Sequence, residues 1–166
     1  MLDTVTRYLS GINELKWRVA LRNILAPLAD GLSSVATSTA GLVIGTSDNT
    51  TAKIGAAIFN AMVGGRVVTL AAGTELPKPL GLNLTTGQFG IGCWFVDGAG
   101  TVTFAAGTPG ATAGAATFPP RPLGRAIVGY ILVTMAGTFT GGTTALSGAT
   151  TTYNSPVGAF DPSAVV

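Results

Sequence analysis

Charge is segregated along this chain. Seven of its sixteen charged residues lie in the first thirty positions, and none lies between Ala126 and Phe160. A soluble monomer normally carries charge at about a quarter of its residues; here the share is 10%. The long region after the first thirty or so residues is built instead from Gly, Ala, Thr and Val. Its surface must be covered by other protein or by small hydroxyl side chains. Both alternatives point to a component of an assembly rather than a freely diffusing enzyme.

Apolar residues make up 47% of the 166 positions, enough for a real core, and low charge argues against disorder. The 24 glycines have no collagen-like period and fall between apolar runs, where they read as turns and bulges. Positions 1–36 read as an N-terminal helical docking segment and positions 37–166 as a β-rich body. The expected fold is mainly β with that helical segment, and the body is a sandwich or barrel-like structure of jelly-roll type.

In the head, Asp3 or Thr4 supplies an N-cap oxygen. Val5, Tyr8, Ile12, Leu15 and Val19 then recur at alternating spacings of three and four, the a/d seam of two heptads. Such a seam either packs on its own domain or docks on a partner, and these five residues are the candidate helical contact. Trp17, Leu21, Ile24, Leu25 and Leu28 form a second stripe, expected to lie slightly rotated from the first. Pro27 starts a new helix or kinks this one. Gly31–Thr39 is small and hydroxylic and reads as a linker.

The body shows two hairpin patterns. Lys53–Met62 leads through Gly64-Gly65 into Arg66–Ala71, with a helix over Ala52–Met62 as the competing reading. Phe89–Val96 leads through Asp97-Gly98 into Thr101–Ala105. Glu75–Pro79 reads as an exposed loop, because Pro cannot serve a central strand. Gly107–Pro122 reads as an extended arm or long surface loop. Ala126–Thr134 is the best candidate for a buried strand, and short strands follow in the tail.

Chemistry is scarce. The sequence has no His, so a Ser-His-Asp triad and the commonest metal ligand are both missing. Cys93 reads as a buried thiol without a base to activate it. Gly45–Lys53 lacks the second glycine of a phosphate loop. Asp48, Glu75, Asp97 and Asp161 are the carboxylates from which a catalytic pair could come, but Asp97 and Asp161 already stand at turn positions. No run of Lys or Arg marks a nucleic-acid footprint. No apolar stretch free of charge and strong polarity is long enough for a membrane span, and no secretory leader is expected. Arg121 and Arg125, flanking Pro122, are candidates for bidentate contacts between subunits.

The Phe59–Gly73 hairpin, the run Val96-Asp97-Gly98-Ala99-Gly100-Thr101-Val102, and Gly107-Thr108-Pro109-Gly110-Ala111 occur here in that order. Val128-Gly129-Tyr130-Ile131-Leu132-Val133 and Phe139–Leu146 complete the set. In pattern and order the body resembles small virion proteins of tailed bacteriophages. The resemblance implies a structural, non-enzymatic role without cofactor: a capsid decoration (cement) protein, commonly a homotrimer, bound to the major capsid protein on the virion surface and made in the host cytoplasm. A short head fibre or tail component that binds a host receptor is the alternative it implies. It transfers no catalytic residues.

Overall fold

A computed structural model describes residues 14–160, and Val5, Tyr8 and Ile12 lie outside that range. The chain runs α1 (Glu14–Ser33), β1 (Val35–Ala36), β2 (Val43–Ile44), β3 (Ala52–Lys53), β4 (Phe59–Val63), β5 (Arg66–Leu70), β6 (Asn83–Leu84), β7 (Phe89–Asp97), β8 (Val102–Ala106), β9 (Arg125–Thr134), β10 (Phe139–Thr140) and β11 (Thr150–Asn154). Single 3-10 turns occur at Ala113–Ala115 and Leu146–Gly148. The protein is therefore mainly β, with one α-helix among the described residues, near the N-terminus, as the residue pattern led us to expect.

The largest sheet has four antiparallel strands in the order β11-β9-β7-β8. A three-stranded sheet, β1-β4-β5, and two short pairs, β2-β3 and β6-β10, complete the body. All four sheets contribute to one core. Phe59, Ile54, Leu82, Leu84, Trp94, Ile131 and Phe139 lie within it, fully buried. Two sheets and two ribbons around a shared core give a sandwich-like body.

β7 and β9 are apolar along their length because both of their faces are covered. Trp94 and Val96 face the main core, whereas Ile91, Cys93 and Phe95 face a second, smaller one. A register shift between Trp94 and Phe95 leaves Val128 as an extra residue on β9. The bulge resets the alternation by one. Ala126 and Val128 before it and Ile131 and Val133 after it thus all reach the main core. Gly129 follows the extra residue. A Cβ there would stand 2.5 Å from the Leu42 side chain and 2.6 Å from the Asn154 carbonyl. Only glycine lets these segments approach so closely.

Several expectations need correction. The expected hairpin from β7 to β8 forms and turns at Asp97-Gly98, but its left-handed residue is Gly100. Asp97 accepts backbone N–H bonds from Ala99 and Thr101 through one carboxylate oxygen, each at 2.9 Å, and Gly100 takes the positive φ of 85°. This is a type I turn closed by a glycine bulge. Glu75–Pro79 is not a free loop: Leu76 and Pro79 are buried, and the Leu76 N–H donates to Ala52 O at 2.9 Å. The carbonyl of Pro77 receives Trp94 Nε1 at 2.8 Å. Pro77 and Pro79 are tolerated there because at those two positions the neighbours are met by carbonyls and no N–H is needed. Gly31–Thr39 is not a linker, since α1 continues to Ser33 and β1 pairs with β4 from Val35. The helix also continues through position 27. Residues 52–62 form two strands joined by a bend, not a helix. Gly107–Pro122 is a surface loop folded back on itself. Thr117 N–H donates to Thr108 O and Gly110 exchanges two hydrogen bonds with Phe89, so Ala116 seals the second core.

Candidate docking surface

α1 ends in a tightly bonded joint. Asp30 stands in its last turn, where a carboxylate meets the negative end of the helix dipole. Arg121 offsets that penalty: its Nη2 lies 2.9 Å from Asp30 Oδ2, and both side chains are mostly buried. Asp30 Oδ1 accepts the Gly124 N–H at 2.8 Å and the Ser34 hydroxyl at 3.0 Å. Arg121 also donates through Nη1 to the carbonyls of Ser34 and Arg125. The base of α1 is thereby tied to the loop that leads into β9.

Beyond that joint the described residues of the helix are exposed. Every residue from Lys16 to Asn23 is exposed, as are Leu25, Ala26 and Ala29. Trp17, Val19, Leu21 and Leu25 are each 50–52% exposed. No sheet of the body covers them. With about 100° between successive residues, Trp17, Leu21 and Leu25 follow one stripe, and Val19 lies roughly 200° round from Trp17. Val19 therefore stands on the side of α1 opposite the stripe of Trp17, Leu21 and Leu25 rather than beside it. On the Val19 side, Lys16, Val19, Ala20 and Asn23 line a shallow open groove of about 300 Å³.

Of the residues expected to make interfaces, Val19 is exposed and Leu15 lies on α1. Arg121 is engaged within the chain, as described. So is Arg125, which bonds Thr103 Oγ1 through Nη1 and pairs with Asp97 in the β7–β9 register. Asp30 as the partner of Arg121 is not legible in the sequence; the 91 residues that separate the two carry no local signal of the pairing.

The carboxylates do not converge. Asp48 forms an ion pair with Lys78 at 2.7 Å. That ammonium, followed by Thr50, holds its carboxyl well below the usual range. Asp97 is lowered chiefly by the Thr101 amide. Glu75 Oε1 accepts the amides of Thr46 and Ser47, while Oε2 is buried without a hydrogen-bond partner beside Gly45. Asp161 lies outside the described residues. Burial raises the Cys93 thiol far from the thiolate. Among the described residues no cluster of three or more His, Cys, Asp or Glu could hold a metal ion, and no helix is long and apolar enough to cross a membrane.

No protein-family model matches this chain, and no curated protein or solved structure matches it. The body also exposes single large apolar side chains, Ile58, Val67, Leu80, Leu123 and Val157 among them, whereas on α1 four such residues lie within nine positions of one helix.

Proposed function

We propose that this chain is a non-enzymatic structural protein of a tailed-bacteriophage particle, a decoration protein that stabilises the head by bridging capsid subunits. The observation that carries the reading is α1: a helix anchored firmly at one end, with large apolar side chains half exposed on two sides. In a protein most of a helix's stability comes from packing of its apolar residues. A helix apolar on opposite sides is normally enclosed. The near-uncharged, hydroxyl-rich body suits a protein held in an assembly. The resemblance in strand and turn pattern supplies the class of assembly, and a homotrimer is the expected state. A stable contact with the shell calls for about 1,600 Å² of buried surface, more than a few helix side chains give, so the body or further copies must add to it. Attachment then stabilises the assembled shell by mass action.

Cryo-EM of the native particle tests this reading. Density for the chain at joints between capsid subunits is the expected result, and absence from purified particles would sink it. Deleting residues 1–30 should abolish attachment to preformed shells; retained attachment would move the docking site to the body.

A further inference from the structure

From Leu15 to Ala29 the chain carries Lys16, Arg18 and Arg22 and no acidic residue. Lys16 and Arg22 are exposed, and at about 100° per residue they fall on opposite flanks between the two apolar stripes. Helices that pair with copies of themselves usually place opposite charges on such flanks, so that each Glu meets a Lys across the seam. Here a parallel bundle of copies would set Lys and Arg against Lys and Arg. The joint at Asp30 holds the base of every helix to its own body, and copies related by a rotation axis would bring the Lys16 flank of one helix against the Arg22 flank of the next.

We propose that α1 is received by a different protein, in an apolar groove rimmed with carboxylates, and that α1 is not the element through which copies of this chain associate. Trp17, Leu21 and Leu25 fill the groove, and Lys16 and Arg22 meet its acidic rims. A bilayer surface fits less well. A helix lying on lipid needs one apolar side and one polar side. Val19 on the far side would be left uncovered there, whereas a groove with two walls covers both stripes. This proposal deepens the docking reading of α1, but its test uses no particle, so the two can fail separately.

The test uses the full chain and the fluorescence of Trp17. The other tryptophan, Trp94, is fully buried, so a blue shift on binding reports Trp17 entering an apolar site. The probe is a synthetic helical peptide with Leu at heptad positions a and d and Glu at e and g. A saturable blue shift is expected, lost at high salt. The same peptide with Lys at e and g should give none. Lys16→Glu combined with Arg22→Glu should weaken binding of the acidic peptide by about tenfold or more, since two attractive pairs become repulsive. An unchanged thermal midpoint for that variant shows that the body is intact. A blue shift that grows with concentration of the chain alone would assign α1 to a second copy and overturn the proposal. A shift with phosphatidylglycerol vesicles but not with the acidic peptide would assign it to lipid, with the same consequence. No shift with any probe also overturns it.

Discussion

Two tryptophans show how differently the two regions of this protein are built. Trp94 is fully buried, donates its Nε1 to the Pro77 carbonyl at 2.8 Å and meets Phe104 edge to face at 5.0 Å. Trp17 stands half exposed on α1. The body closes strands of two to ten residues around a shared core, and the large apolar residues it leaves exposed, such as Val67, Leu80 and Leu123, are scattered over loops and strands. The helix leaves its apolar residues available. Charge separates the two regions, but apolar content does not, since both carry large apolar side chains. The difference lies in whether the chain returns to cover them. The body does so around its core, and α1 is held to it at the joint of Asp30 and Arg121.

The contrast can be broken most forcefully at Trp94. Trp94→Ala should cost about 3–5 kcal/mol, because it opens a cavity and leaves the Pro77 carbonyl unanswered. Chemical denaturation read by far-UV circular dichroism measures it; a cost below about 1 kcal/mol would mean that the core is not closed around this residue. Next comes the joint itself. Arg121→Ala strands a mostly buried Asp30 carboxylate and should cost about 2–3 kcal/mol. Hydrogen exchange should then accelerate across residues 28–34 and 121–125 while the β7–β9 amides stay protected. Uniform acceleration would show that helix and body unfold as one unit.

Gly100→Ala forces a left-handed conformation on a residue with a Cβ and should cost about 1–2 kcal/mol, again by denaturation. Acid should act on the body through Asp97 and Asp48. Both carboxyls are lowered in the folded state, so their contribution is fully present above the unfolded value near 4 and is lost as pH falls through the lower folded value. The thermal midpoint should hold between pH 7 and 5 and fall below about pH 4, less so in Asp97→Asn than in the parent chain. The smallest effect is expected at the other tryptophan. Trp17→Ala should change the body's stability by no more than about 0.5 kcal/mol, as a surface substitution does. A larger loss would mean that α1 packs on the body in solution and would remove the main support for docking.

Much of the body was legible. The Gly64-Gly65 turn, the alternation of Thr101-Val102-Thr103-Phe104 and the apolar run from Ala126 all announced strands, because turn chemistry and side-chain period are local. Other features were not. The bulge at Val128 is invisible in a run where every residue is apolar. The role of Glu75–Pro79 depends on Thr51 and Trp94 finding its carbonyls from elsewhere in the chain. For the candidate docking surface, Val19 and the stripe of Trp17, Leu21 and Leu25 could be read from spacing. Arg121 and Arg125 looked like free cations, because the sequence shows charge and not its partner.

By itself, then, the sequence determined the class of structure: strands with glycine turns after a short charged helix, and no residues for His-based or metal-cluster chemistry. Those are properties of composition and of spacings within a few residues. Only the tertiary structure decided which apolar residues would be covered. Burial is a relation between distant segments, and the same leucine or tryptophan is core or contact surface according to what the rest of the chain brings to it.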